Sequence, residues 1–258
     1  MPTFLSWSGG ADSSCSVILC HENGIHVDEI VMAELLFDRD KETGEEFSCE
    51  HVIHMDWVKN YAKKLFEKWG YKVTILKAEK TYMDHFHHII QKGDSAHIGM
   101  QYGFPIIRGG MCALKRDGKI RTIEKYLNQY DPVYQIVGIS ADEVTRLDSL
   151  YSNRSGNKSI SRSVLAEFGI THSQAIKICK QYGLYSPAYD ALGLQRLGCW
   201  CCGNAKPNEL RYIKENFPHE FKKFVTLADE EVAFPKWNPY GMPLCEVEKF
   251  IEGGRGKA

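Results

Sequence analysis

Two short stretches hold residue types whose spacing could do chemistry. The first is Ser8-Gly9-Gly10-Ala11-Asp12-Ser13-Ser14, reached through an apolar run (Phe4, Leu5, Trp7) and followed by an apolar stretch at Cys15–Cys20. That order reads as strand, tight loop and helix N-terminus. Glycines allow a positive φ and let an anion approach the amides with no Cβ between. The first amides of a helix lack intrahelical partners and sit at the positive end of its dipole, so they suit phosphate. Ser6, Ser8, Ser13 and Ser14 add hydroxyls. Neither G-x-x-x-x-G-K-[ST] nor G-x-G-x-x-G is present, and by spacing alone an ordinary βα turn with a Ser or Asp cap fits as well.

The second stretch is Gly198-Cys199-Trp200-Cys201-Cys202-Gly203. Cys199 and Cys202 form a C-x-x-C, whose thiolates can grip one soft metal from a tight turn. Half a zinc site, part of an iron–sulfur cluster and a redox disulfide are all consistent with that spacing, as are thiols packed beside Trp200. A third signal is Asp142-Glu143-x-x-Arg146, just past a candidate strand at Val133–Ile139. Charged side chains there lie where doubly wound sheets bind ligands, although a solvated helix start would look the same. Asp84-His85-Phe86-His87-His88 is a weaker metal candidate, since such tracts more often lie on a surface.

Composition limits the classes. The chain has 258 residues, 43% hydrophobic and 25% charged, with a net charge of −1. That is room for a domain with a sizeable appendage, and no global field recruits nucleic acid or an anionic membrane. With no leader-like or membrane-length apolar run, the expected location is the cytoplasm. Nine irregularly spaced cysteines argue against a secreted disulfide framework, leaving core, metal and redox roles.

The elements that must position these residues can be read in outline. Gly24 ends the first helix, and Glu29–Phe37 is apolar enough for a strand covered on both faces. In His51–Trp69, residues Val58, Tyr61, Leu65 and Trp69 recur at helical spacing, with Gly70 as a stop. Tyr71–Leu76 alternates as a strand, Gly93–Gly110 reads as an irregular loop, and Thr122–Leu127 as a helix. The alternation predicts an α/β doubly wound parallel sheet over residues 1–150. Residues 151–258 are expected to be a helical C-terminal region carrying the Cys-rich motif. It begins with a linker at Tyr151–Ser163, and a Thr171/Gln174 capping box opens its helix. Further helices are expected at Lys206–Asn216 and Glu220–Ala228, and Cys179 is expected in the core.

Ser8-Gly-Gly-Ala-Asp-Ser13 resembles the SGGxDS loop of the PP-loop ATP pyrophosphatase family. Cys112-Ala-Leu-Lys-Arg116, Asp142-Glu143-x-x-Arg146, Tyr182-Gly-Leu-Tyr-Ser-Pro-Ala-Tyr189, Gly-Cys199-Trp-x-Cys and Glu209-Leu-Arg-Tyr extend the likeness over nearly the whole chain. In that order they are similar to bacterial proteins called phosphoadenosine phosphosulfate (PAPS) reductase-like. The resemblance implies an adenine nucleotide alpha hydrolase-like fold and phosphate binding at the loop. It also implies a [4Fe–4S] cluster on Cys112, Cys199 and Cys202. The sequence departs from the pattern in four places: Ala11 replaces a frequent Lys, Met111 precedes Cys112 where APS reductases pair adjacent cysteines, Gly118 stands where relatives often have Cys, and no Glu-Cys-Gly-Leu motif surrounds Cys245 or the C-terminus. Cys201 is the remaining candidate for a fourth ligand, with an open iron as the alternative.

Three functions follow as expectations. The first is ATP-dependent adenylylation of an acceptor, followed by sulfur or amine transfer. Magnesium would sit near Asp12, Lys115, Arg116 and Lys119 would steady the anion, and Asp142, Glu143 and Arg146 would meet the substrate. Its partners would be an adenine nucleotide, an acceptor and a sulfur donor. The second is a reductase of adenylyl sulfate or PAPS served by a thioredoxin-like reductant. The third is a zinc-stabilised nucleotide- or RNA-binding module.

Overall fold

The computed structural model describes residues 1–93, 95–105, 107–108, 111–152, 159–237 and 246–252. They divide into two compact units between which the chain passes repeatedly. Unit 1 comprises Met1–Ala33, Val52–Leu76 and Arg121–Tyr189, and unit 2 Glu34–His51, Lys77–Ile120 and Asp190–Ala258. The expected boundary near residue 150 is therefore not where the units part. The elements after it, up to Tyr189, build on the first helix and the sheet.

The chain opens with β1 (Thr3–Ser6), α1 (Ala11–Glu22) and β2 (Glu29–Glu34). A hairpin of β3 (Leu36–Arg39) and β4 (Glu46–Ser48) follows, then α2 (Val52–Trp57), a π-helical turn at Val58–Ala62, α3 (Lys63–Lys68) and β5 (Lys72–Lys77). Next come α4 (Tyr82–Phe86), a hairpin of β6 (Ile107–Arg108) and β7 (Met111–Cys112), a π-helical stretch at Lys115–Ile120, and α5 (Arg121–Leu127). Then β8 (Tyr134–Val137), α6 (Val144–Ser152), β9 (Ile160–Arg162), α7 (Val164–Glu167), α8 (His172–Gln181) and α9 (Ala188–Leu192) lead to α10 (Pro207–Asn216), α11 (Pro218–Thr226) and α12 (Val247–Glu252).

Among the described residues, unit 1 is a five-stranded sheet in the order β5-β2-β1-β8-β9, so the α/β expectation holds. The β1–β2, β1–β8 and β8–β9 pairs are parallel, with Leu5 opposite Ile30 and Ile136. Counted along the chain, these five strands lie 3-2-1-4-5. The order reverses between β1 and β8, and such reversals open a crevice at the strand ends. The two-residue period gives each face its own core. Leu5, Ile30 and Met32 pack with Cys15, Ile18, Phe66, Val164 and Ala175, while Phe4 and Val31 pack with Leu127 and Val133. Helices therefore cover both faces.

Two differences from the sequence reading have clear causes. Tyr61 is exposed, and Val58, Ala62 and Phe66 form the buried stripe of their helix. The π turn admits an extra residue, which rotates the stripe off the regular spacing. The supposed linker contains β9, whose register is Tyr134 opposite Ile160. One apolar residue in three left no alternation to read. Residues 153–158 of that linker lie outside the described residues.

Unit 2 has a largely aromatic core. Trp200 lies 4.8 Å from Phe37 and 5.5 Å from Phe224, ring centre to ring centre, with Tyr82 and Trp237 in the same cluster. Its indole N–H donates to the Ser48 carbonyl at 2.9 Å, satisfying the polar atom of a fully buried ring. Among the described residues, no helix is long and apolar enough to cross a membrane.

In unit 1, Gly138 follows β8 where a Cβ would lie 2.6 Å from the Ser13 amide nitrogen and 2.7 Å from its Cα. Backbone on the far side leaves no flexible atom to give way. Gly138→Ala is expected to cost about 1–3 kcal/mol, as overpacking does, measured by denaturant unfolding. It should also displace the start of α1.

Candidate functional site

The end of β1 and the start of α1 build the loop that the sequence singled out. Trp7 still pairs with β2, its amide donating to the Val31 carbonyl at 2.8 Å, and Gly9 then turns with φ +74°. Gly9 is required twice over: its φ is left-handed, and a Cβ would lie 2.4 Å from His54 Cε1. Gly10, the N-cap of α1, makes no side-chain capping bond. The loop is braced by the Ser8 amide donating to Ser13 Oγ at 3.1 Å and by Ser13 Oγ donating to the Gly10 carbonyl at 3.1 Å.

The expected hydroxyls do not act alike. Ser8 is exposed, whereas Ser13 and Ser14 are buried. Ser14 Oγ accepts from the Trp7 indole at 3.0 Å, and Ser6 Oγ accepts from Gln135 Nε2 at 2.8 Å. Ser6 and Ser14 are committed to the scaffold, and Ser13 to loop shape. Ser8 Oγ, though exposed, lies 3.1 Å from Ser13 Oγ and accepts from the Gly10 amide at 3.4 Å, so it too braces the bend.

Asp12 lies on the first turn of α1 and meets a histidine that the sequence reading missed. His172 Nδ1 is 2.9 Å from Asp12 Oδ1 and 3.0 Å from Oδ2. The His172 amide donates to Asp142 Oδ1 at 3.0 Å. Burial lifts the Asp12 pKa, against the pull of His172, and the nearby Glu143 and Asp142 lift it further. The Asp142 pKa is lowered by the Ser140 side chain and the His172 amide. Glu143 accepts from the Ser140 amide at 3.2 Å and pairs with Arg146 at 2.5 Å. Asp12, Asp142 and Glu143 thus share one electrostatic neighbourhood, while Arg146 is held by Glu143. The only sign of His172 was its place after Thr171, whose capping box with Gln174 the structure contains. His54 was also missed, and Tyr189 was read only as the end of the Tyr182–Tyr189 motif. Fully buried His54 is 3.0 Å from Ser186 Oγ beneath Gly9, and Tyr189 approaches Gly10, with its hydroxyl pKa raised to about 12 by burial.

Lys115, Arg116 and Lys119 belong to unit 2, and each has a different setting. Lys115 is exposed. Arg116 is gripped by Asp117 at 2.8 and 2.9 Å. Lys119 pairs with Glu50 at 2.5 Å. Burial opposes its charge, but the Glu50 carboxylate outweighs that and raises its pKa. Lys119 is therefore the counter-ion of a buried carboxylate, a role that spacing could not reveal.

The cysteines of unit 2 gather with a member the sequence reading passed over, Cys49. Its Sγ lies 3.8 Å from Cys201 Sγ, and its thiol hydrogen-bonds Cys199. The Trp200 amide donates to the Cys49 carbonyl at 3.0 Å, which joins the two segments. Cys112 donates to the Pro105 carbonyl at 3.5 Å, and Cys202 accepts from the Asn204 amide at 3.5 Å. The Cys49 hydrogen bond, then burial, push the Cys199 pKa well up, and burial pushes Cys201 up to about 11. Soft donors in this number suit a soft metal, and 3.8 Å is about the edge of a thiolate tetrahedron with ~2.3 Å bonds. Two ligands are not a site, however. Among the described residues, no three His, Cys, Asp or Glu are placed to hold a metal ion, including those of Asp84–His88. Cys112, Cys199 and Cys202, which the resemblance names for a [4Fe–4S] cluster, share one electrostatic neighbourhood, Cys199 and Cys112 both acting on the Cys202 thiol. Cys245, the other candidate redox thiol, lies outside the described residues. Cys179 is a core residue, its thiol donating to the Ala11 carbonyl at 3.2 Å.

No protein-family model matches the chain. An uncharacterised protein of Methanocaldococcus jannaschii is 26% identical over 264 residues, an alignment covering 98% of this chain and 56% of that protein. The chain thus spans about half the length of the curated relative it matches. A solved structure, the U34-tRNA thiolase NcsA from Methanococcus maripaludis with its [4Fe-4S] cluster, aligns at a TM-score of 0.45 and 10% identity. That alignment covers 100% of this chain and 74% of the other.

Burial holds the Asp12 pKa above its ordinary 3.8, so the native state keeps a proton that the unfolded chain releases. This group's contribution to stability therefore falls as pH rises through that window. Asp12→Asn is expected to melt at or above the wild-type temperature at neutral pH and to flatten the profile, read by calorimetry across pH. For the thiols, iodoacetamide should label half-buried Cys112 well before buried Cys49 and Cys201, read by peptide mass spectrometry.

Proposed function

We propose that the chain is a PP-loop-type enzyme, PAPS reductase-like in its motifs, that binds ATP and activates an acceptor by adenylylation. The observation that carries this reading is the bend at Ser8–Gly10. It lies at the reversal of strand order and leads into a helix whose first turn has no side-chain cap. Uncapped first-turn amides and a dipole aimed at one point select an anion with several oxygens. The β- and γ-phosphates lie against the backbone of Gly9 and Gly10 and the Ser8 hydroxyl. The adenine lies over the strand ends.

In the reaction an acceptor oxygen attacks the α-phosphorus. The bond from the α-phosphorus to the bridging oxygen breaks, and pyrophosphate departs with the electron pair. A sulfur or amine nucleophile then attacks the activated acceptor carbon, and AMP leaves. Magnesium, when bound, supplies charge neutralisation for the phosphates. Asp12 and Asp142 are the hard oxygen donors suited to hold it. His172 sets the orientation of the Asp12 carboxylate and fixes Asp142 through its amide. The thiol group of unit 2 favours sulfur over an amine as the transferred element.

Gly10→Glu tests the nucleotide half without disturbing the fold. Gly10 has φ −74°, which any residue adopts, and a Cβ there would meet only Ser8 Oγ at 3.3 Å and the Tyr189 hydroxyl at 3.8 Å. A carboxylate at that helix end suits the dipole but repels phosphate. The variant is expected to keep its melting temperature and to bind a non-hydrolysable ATP analogue roughly tenfold or more weakly, the scale of a lost charge-assisted contact. Equal affinity by calorimetry would remove the loop from the site. With an acceptor in hand, the products should be AMP and pyrophosphate; ADP and phosphate would exclude the chemistry, and sulfite release from adenylyl sulfate would indicate the reductase.

A further inference from the structure

Unit 2 contains a cavity of about 750 Å³ lined by its own residues. The volume is that of a small-ligand site. Its charge is one-sided. Among the described residues, Lys80, Lys92 and Arg116 line it, and Asp117, already gripped by Arg116, is its single carboxylate. Neither Lys80 nor Lys92 has an ion-pair partner among the described residues. Cations set in a concave wall focus the field inward and concentrate anions.

Two further features narrow the ligand. Tyr102 and Phe234 both line the cavity, their ring centres 4.8 Å apart at 64°, a rigid aromatic corner against which a planar ring can lie. His85, from the tract the sequence raised as a metal candidate, also lines it. Its Nε2 is buried without a hydrogen-bond partner, and burial lowers the ring's pKa. A neutral imidazole nitrogen left unsatisfied is a group waiting for a ligand donor or acceptor. A guanidinium and two ammonium groups around one space suit phosphate, which offers oxygens in several directions. Phosphate beside a planar ring is the chemistry of a nucleotide.

We propose that this cavity binds a nucleotide, with its phosphate on Lys80, Lys92 and Arg116 and its base against Tyr102 and Phe234. A free mononucleotide and an unpaired nucleotide of an RNA both present that chemistry. The site is argued from the residues of unit 2 alone.

Photocrosslinking of the full chain tests it, with 8-azido-AMP in one arm and a short 8-azidoadenosine-containing single-stranded oligoribonucleotide in the other. Labelled peptides are mapped by mass spectrometry. Label on the peptide holding Tyr102 or Phe234 is expected, from the mononucleotide if the ligand is free and from the oligonucleotide alone if it is RNA. Lys80→Ala/Lys92→Ala, two exposed positions, should cut that label about tenfold or more and leave any label on the Ser8–Ser14 peptide unchanged. No cavity label in either arm, or label undiminished in the double variant, overturns the proposal. Label at the loop is scored on its own peptide, so the two sites fail independently.

Discussion

Backbone from two segments comes together at the end of β1 more closely than any side chain allows, and unit 1 is arranged about that contact. Gly9 turns left-handed over the His54 ring, and Gly138 lies against the Ser13 backbone. The contact fixes the first turn of α1 relative to β1 and β8. Its supports are unusually polar for buried groups: His54 with Ser186, and Ser14 with Trp7. Each buried polar atom named here has a partner, which lets the bend be rigid without unsatisfied groups.

The same architecture sets a conflict at Asp12. Burial disfavours its charge, and Glu143 and Asp142 add repulsion, while His172 opposes both. Such an arrangement lowers stability, a cost of the kind common at functional sites. His172 is central because it touches two of the three acidic residues, Asp12 by its ring and Asp142 by its amide.

Unit 2 obeys different physics. Its core is built from stacked and edge-on aromatic rings around Trp200, and the Cys-rich turn is carried by that ring. Burial explains why the thiols of Cys49 and Cys201 resist ionisation, the Cys49 hydrogen bond and then burial do the same for Cys199, and Glu50 with Lys119 forms an ion pair beside them. Low-dielectric surroundings strengthen each of these couplings. The cavity lined by Lys80, Lys92 and Arg116 differs from that core in setting cations beside its aromatic rings.

The amino-acid sequence by itself determined what depends on neighbours along the chain. The alternation of Phe4 and Leu5, the apolar run of β2, the glycine bend and the Thr171–Gln174 box were legible because their causes lie within a few residues. The three residues of β9 were not, because only pairing with β8 makes Ile160–Arg162 a strand. The tertiary structure alone decided which of the legible groups meet. His172 reaches Asp12 across 160 positions, Cys201 reaches Cys49 across 152, and Ser14 is taken up by the Trp7 indole. Residue type sets what a side chain can do, but partners so distant in sequence are chosen by packing, which local spacing does not encode.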